Sequence, residues 1–164
     1  MLVLGIDPGI GTTGYGLVRD NPDGSLETVE YGVLLTPAHV SQDIRLLDLH
    51  TQLTNLLLLH QPESAAVEKL FFYKNVTTAM AVGQARGVIL MTLAQYKLPV
   101  FEYTPLEVKM AVTGYGNADK AQVQLMVKAM LGLEKIPKPD DAADALAIAI
   151  CHGNCYKMKR LEQS

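Results

Sequence analysis

Apolar and polar positions along this chain follow two rhythms, a period of two and a period near 3.6, and they change over several times. Leu2-Val3-Leu4 leads through Gly5-Ile6 to Asp7 and the turn Pro8-Gly9, which predicts a short buried strand finishing on an acid. Tyr15 and Leu17 alternate with Gly14 and Gly16, suiting a second strand that ends at the turn signal Asn21-Pro22-Asp23-Gly24. Leu26 to Leu35 reads as a third strand, with Val29, Tyr31 and Val33 on one face. The helical rhythm then takes over: Ser41 is a candidate N-cap, and Ile44, Leu47, Leu49, Leu53, Leu56 and Leu57 recur on one side until Pro62. Ala65-Ala66-Val67 predicts a fourth strand, again closed by an acid, Glu68. After the aromatic segment Leu70-Phe71-Phe72-Tyr73, Asn75 can cap a long helix running to about Lys97, rich in small residues.

Pro99 to Tyr103 reads as a fifth strand. Thr104-Pro105-Leu106-Glu107 is a capping-box signature with proline at the first helical position. The loop Thr113 to Asn117 delivers a helix from about Ala118 to Leu131, stopped by Gly132. Beyond Pro137 and Pro139 a last helix is expected from about Asp141 to Cys151. The order β-β-β-α-β-α-β-α-α-α predicts an α/β fold: a mixed five-stranded sheet, an antiparallel meander continued by parallel strands, with helices on both faces. Adjacency and crossover rules place the first strand centrally and the fourth beside it, so that Asp7 and Glu68 close neighbouring strands. Residues 1–155 are expected to form one domain, and 156–164 a short, basic, flexible tail.

Composition narrows the picture a little. The chain has 164 residues, 49% of them apolar, enough for one core and too few for two large domains. No uninterrupted apolar run approaches the ~18 residues of a membrane span, and no basic region precedes the first apolar stretch, so a cytoplasmic protein without a membrane role is expected. A net charge of −3 does not advertise a nucleic-acid binder, although acids gathered around a metal would be neutralised there.

Gly9-Ile10-Gly11-Thr12-Thr13-Gly14 spells a dinucleotide fingerprint, but that motif requires a helix to open at the glycines, and a strand is expected there. The acids carry more. Asp140-Asp141-Ala142-Ala143-Asp144 places Asp141 and Asp144 three apart on one helix face, among alanines that let the helix lie close to the sheet. The helix dipole accounts for acids in the first turn, less well for Asp144. Converging carboxylates repel unless a cation joins them, and such hard oxygen ligands suit Mg²⁺, with Mn²⁺ as its substitute. Two such ions can hold a phosphodiester, activate water and stabilise the leaving oxygen. Cys151, His152 and Cys155 at the end of the same helix read as ordinary helix-end residues rather than a zinc site.

The blocks GIDPG…TGYG, AAVEKLFF, GQARG and DAADALAIAI occur in this order over residues 5–150 and together resemble the RuvC family of Holliday-junction resolvases, in the ribonuclease H-like superfamily. The resemblance implies a homodimeric endonuclease that cuts four-way DNA junctions with Mg²⁺ by paired symmetric nicks, leaving 5′-phosphate and 3′-hydroxyl ends, alongside a branch-migration motor complex of the RuvA and RuvB type. Carried over by motif, it makes Asp7, Glu68, Asp141 and Asp144 the catalytic, metal-binding acids, with two ions per site, and leaves Asp140 outside the set. It marks Phe71 as the aromatic that stacks on a junction base, and Lys109 and Lys120 as DNA contacts. Lys69, Lys74 and Arg86 are further DNA-contact candidates, and the helix from Asn75 to Lys97 is the candidate dimer face. Rival readings are an ATP-binding phosphotransferase, which needs two such domains, an RNA-processing nuclease or exonuclease, and a DNA-binding module without activity.

Overall fold

The computed structural model describes residues 1–70 and 76–162, with side chains through Met158. In chain order the elements are β1 (Leu2–Asp7), β2 (Thr12–Asp20), β3 (Leu26–Leu35), α1 (Gln42–His60), β4 (Ser64–Glu68), α2 (Val76–Gln95), β5 (Val100–Tyr103), α3 (Pro105–Thr113), α4 (Lys120–Met130) and α5 (Asp140–Glu162). The strands form one sheet in the order β3-β2-β1-β4-β5, antiparallel on the β1–β2–β3 side and parallel on the β1–β4–β5 side. This is the expected mixed sheet, with β1 in its centre and β4 beside it.

Each face of the sheet carries its own core. Leu4, Ile6, Leu17, Ala65 and Val67 pack with the α1 leucines Leu49, Leu53, Leu56 and Leu57 and with Ala85, Ile89 and Leu93 of α2. On the other face Val3, Val18, Ala66 and Tyr103 pack against α3, α4 and the run Leu146–Cys151 of α5. Side chains alternate across a strand, so this partition fixes where the residues of β1, β4 and β5 point.

The α5 face depends on glycine. A Cβ on Gly5 would lie 2.1 Å from the Ala145 carbonyl oxygen, and one on Gly14 only 1.9 Å from that of Asp141. A Cβ on Gly16 would meet the Leu146 side chain at 2.8 Å and its main-chain nitrogen at 3.0 Å. The backbone of α5 therefore rests directly on β1 and β2, and its own small residues, Ala142, Ala143, Ala145 and Ala149, are at most 1% exposed.

Local signals explain most boundaries. Thr104 and Glu107 make the reciprocal capping box that starts α3. α4 starts at Lys120, two residues later than expected, because Asp119 forms a second capping box with Gln122. Ser41 precedes α1 but its side chain makes no capping bond. The alternating face expected for Val29, Tyr31 and Val33 is interrupted: Leu17 pairs with Glu30 while Val18 pairs with Thr28, and this bulge beside Val29 leaves Tyr31 exposed and buries Leu34.

α5 continues to Glu162, well past the expected stop near Cys151. Tertiary contacts carry it through Gly153: the buried His152 is bonded to Ser64 and Tyr103, Asn154 donates to the Ala111 carbonyl, and Lys157 pairs with Asp20 at 2.7 Å. Residues 156–162, expected as a loose tail, are thus helical. α2 has the length and composition of a membrane span, with a mean hydropathy of 1.3 over an 18-residue window. Here it is a layer of the fold, laying Ala85, Ile89 and Leu93 on the sheet.

Candidate active site

The alternation of β1 turns Leu4 and Ile6 toward α1 and α2, and Gly5 toward α5. Asp7, two residues beyond Gly5, therefore points to the α5 side from the last position of the strand. On β4, Ser64 bonds to His152 of α5 and Ala66 lies in the α5-side core, so Glu68 shares that face. From above, the first turns of α5 project Asp141 and Asp144, three apart, over the same strand ends. Carboxylate oxygens of Asp7, Asp141 and Asp144 all come within 4.8 Å of one another. Glu68 lies outside that mutual set but meets Asp7 closely enough for their carboxyl groups to share a hydrogen bond.

Such crowding raises the affinity of the acids for protons. Burial, reinforced by Glu68, Asp144 and Asp141, pushes Asp7 up to about 9. Burial also raises Glu68, offset by its bond to Asp7, and Asp144 is raised by burial against the pull of Lys120. A protein that places these groups together and leaves them charged at neutral pH needs a cation among them. The donors are all hard carboxylate oxygens, which fit a divalent ion of the magnesium or manganese type.

Asp140 is separate. It bonds to Gln124 and pairs with Lys120 at 3.3 Å and Lys138 at 3.6 Å, and these contacts hold its carboxyl below the usual range.

Beside the acids opens a cleft of about 270 Å³, lined by Glu68, Asp144, Lys109, Lys120, Pro105 and Val108 among others. Lys120, the first residue of α4, reaches Asp144 at 3.5 Å as well as Asp140. Burial lowers the affinity of its ammonium for the proton, but the two carboxylates outweigh burial and its net shift is upward. Both lysines singled out in the sequence thus stand on the cleft wall. Lys69 is exposed just past the end of β4. Phe71 and Lys74 fall outside the described residues.

Arg86 does not stand free. Its guanidinium pairs with Glu102 and its Nε donates to the Glu68 carbonyl oxygen at 3.4 Å. Glu102 was not among the residues singled out from the sequence. Nor was the seating of α5 on Gly5, Gly14 and Gly16, although glycines at i and i+2 opposite an alanine-rich helix are a readable sign of close approach. Halfway along α5, Cys151 is buried with its thiol against the Glu107 carbonyl, and both His152 ring nitrogens face hydroxyl groups. Among the described residues no cysteine–histidine group gathers around a common point.

The arrangement has counterparts. Residues 3–152 match the family described as "Crossover junction endodeoxyribonuclease RuvC". A protein of that name from Desulfitobacterium hafniense is 56% identical over 158 residues, covering 96% of this chain and 95% of the relative. One from Caldicellulosiruptor saccharolyticus is 52% identical over 152 residues, covering 93% and 92%. Among solved structures, Thermus thermophilus RuvC superposes with a TM-score of 0.90 at 37% identity, covering 97% of each chain. The same protein in complex with a Holliday junction substrate gives 0.88 at 35% identity, covering 96% of each. With this family match, these identities and the acids converging at the strand ends, the chain belongs to the RuvC family of crossover junction endodeoxyribonucleases.

Proposed function

We propose that this protein resolves four-way DNA junctions by divalent-metal-dependent hydrolysis of phosphodiester bonds. The observation that carries the reading is the meeting of Asp7, Asp141 and Asp144 within 4.8 Å, with Glu68 against Asp7, beside a lysine-walled cleft. These four acids would hold the metal, with Mg²⁺ as the ion and two per site as the stoichiometry. When bound, the ions supply the charge that holds the phosphodiester, lowers the pKa of water and stabilises the leaving 3′ oxygen.

The chain's own groups do the rest. Burial of Asp7 and Glu68 keeps bulk water from screening their charge. Lys120 neutralises Asp144 and, with Lys109, draws the anionic backbone toward the cleft. Lys69 and Lys74 would serve as further DNA contacts, and Phe71, two positions past Lys69, would stack on a base opened at the crossover. Asp140, held by Lys120 and Lys138, stays out of the metal shell.

A four-way junction presents equivalent strands in pairs, so paired nicks ask for two sites related by a two-fold axis. α2 suits the interface of such a homodimer: Val76 is 79% exposed, Met80 65% and Met91 48%, on a helix whose other side lies on the sheet. The nicks would leave 5′-phosphate and 3′-hydroxyl ends, and the enzyme would act with a branch-migration motor complex. Residues 1–155 act as one nuclease domain, in a cytoplasmic protein.

The test is cleavage of a labelled mobile junction by purified protein, with Mg²⁺, with Mn²⁺ and with chelator, beside linear duplex and RNA of the same sequence. Paired metal-dependent nicks in the junction alone support the reading. Equal cutting of the linear duplex, or cutting that survives chelator, overturns it.

A further inference from the structure

α2 and α5 lie on opposite faces of the sheet, yet both reach the end of β4. On β5, Phe101 and Tyr103 pack on the α5 side and Val100 on the α2 side, so Glu102 points toward α2. Arg86 of α2 meets it there in an ion pair, with the arginine side chain only 19% exposed. The Nε of the same guanidinium donates to the carbonyl oxygen of Glu68, 3.4 Å away. Glu68 is the last residue of β4, opposite Tyr103 of β5, and the next amide, Lys69, donates to the Tyr103 carbonyl at 2.8 Å. The backbone that carries Glu68 is therefore clasped from the α2 side, while its side chain projects the other way, to Asp7.

We propose that Arg86 is a positioning residue: with Glu102 it fixes the end of β4 so that the Glu68 carboxylate stands where a divalent cation needs it. The role differs from a DNA contact, because the arginine spends its donors on a carboxylate and a main-chain carbonyl. The planar guanidinium serves both acceptors at once, which the single ammonium of lysine does less well. Groups that orient a metal ligand without touching the metal commonly carry about 10–100-fold in metal affinity. The inference rests on the reading of the acids as metal ligands.

The experiment compares full-length Arg86→Gln, Arg86→Lys and Glu102→Gln with the unaltered protein, and with Arg19→Gln, which loses only an exposed pair with Glu27. Mn²⁺ binding is titrated directly, junction affinity is measured in chelator, and cleavage is followed against Mg²⁺ concentration. Arg86→Gln and Glu102→Gln are expected to weaken Mn²⁺ binding about 10-fold and to raise the Mg²⁺ needed for half-maximal cleavage in step. Cleavage should recover at high Mg²⁺, junction affinity should stay within about twofold, and Arg86→Lys should fall between. Weaker junction binding with a shallower salt dependence and unaltered Mn²⁺ affinity would make Arg86 a DNA contact and overturn the proposal. A lower Tm with unaltered Mn²⁺ affinity would overturn it too. Failure of the unaltered protein to bind Mn²⁺ would instead overturn the metal reading itself.

Discussion

The two faces of the sheet are packed by different means. Toward α1 and α2 the contact is made by long side chains, Leu49, Leu53 and Leu57 of α1 and Ile89 and Leu93 of α2, meeting Leu4, Ile6 and Leu17. Toward α5 larger side chains such as Val3, Val18 and Leu146 are buried as well, but the seam nearest the acids is made by glycine: Gly5 and Gly14 of the strands lie against the main chain of α5 itself, among alanines. Spacing between packed elements follows the size of the side chains at the contact. A leucine-spaced helix would hold its carboxylates farther from the strand ends. The glycine–alanine seam brings α5 down onto β1 and β2, and only then do Asp141 and Asp144 meet Asp7. Both faces bury apolar side chains, and the α5 face adds a short distance at its glycine seam.

Breaking the comparison at its functional end gives the largest effect. Asp7→Asn keeps the shape of the pocket and removes the central negative charge. Cleavage of a junction should fall by about 10³-fold or more, since metal chemistry contributes several kcal/mol, while junction binding in chelator persists. Near-normal cleavage by this variant would remove Asp7 from the site.

Next comes the seam. Gly14→Ala places a Cβ where the Asp141 carbonyl oxygen now sits. Displacing α5 by even about 1 Å should cost on the order of 10²-fold in cleavage, with roughly 1–3 kcal/mol of stability lost to overpacking. The matched change on the opposite face, Ile89→Val, should cost about 0.5–1.5 kcal/mol in denaturant melts and leave cleavage as it was. If both variants lose stability and cleavage in the same proportion, the two faces do not differ as described.

A smaller effect is expected at Lys120. Lys120→Ala should weaken junction binding and lower the slope of log affinity against log salt by about 1, the loss of one phosphate contact. An unchanged slope would confine Lys120 to its pairs with Asp140 and Asp144.

The smallest effect is on stability against pH. The folded state holds the Asp7 proton more tightly than the unfolded chain does, since its pKa stands at about 9 against an ordinary value near 4. The unfolded chain therefore releases that proton first. In metal-free protein this group's contribution is most favourable below about pH 4 and is lost as pH rises toward about 9. Asp7→Asn should flatten that decline and raise Tm at pH 8. Added Mg²⁺ should restore the unaltered protein and do little for the variant.

Much of this was legible before any coordinates. The strand-ending acids Asp7 and Glu68, the spacing of Asp141 and Asp144, and the capping box at Thr104 are local patterns, and local patterns survive in one dimension. Lys109 and Lys120 were marked by resemblance to the family, and both stand on the cleft wall. What escaped were features made by contacts distant in the chain. The bulge beside Val29 depends on how β2 pairs, and α5 runs past Cys151 because Ser64, Tyr103, Ala111 and Asp20 hold it.

The sequence by itself determined the element types, because periodicity, capping and turn chemistry act over a few residues, while adjacency rules put the first strand centrally beside the fourth and resemblance to the family named the candidate acids. Only the tertiary structure decided which acids meet, and with which partners. It brought Asp7 to α5 across the glycine seam, turned Asp140 aside to Lys120 and Lys138, and spent Arg86 on Glu102 and the Glu68 carbonyl. Those outcomes rest on distances of a few ångströms between residues far apart in the chain, and such distances are set by packing, which no single segment contains.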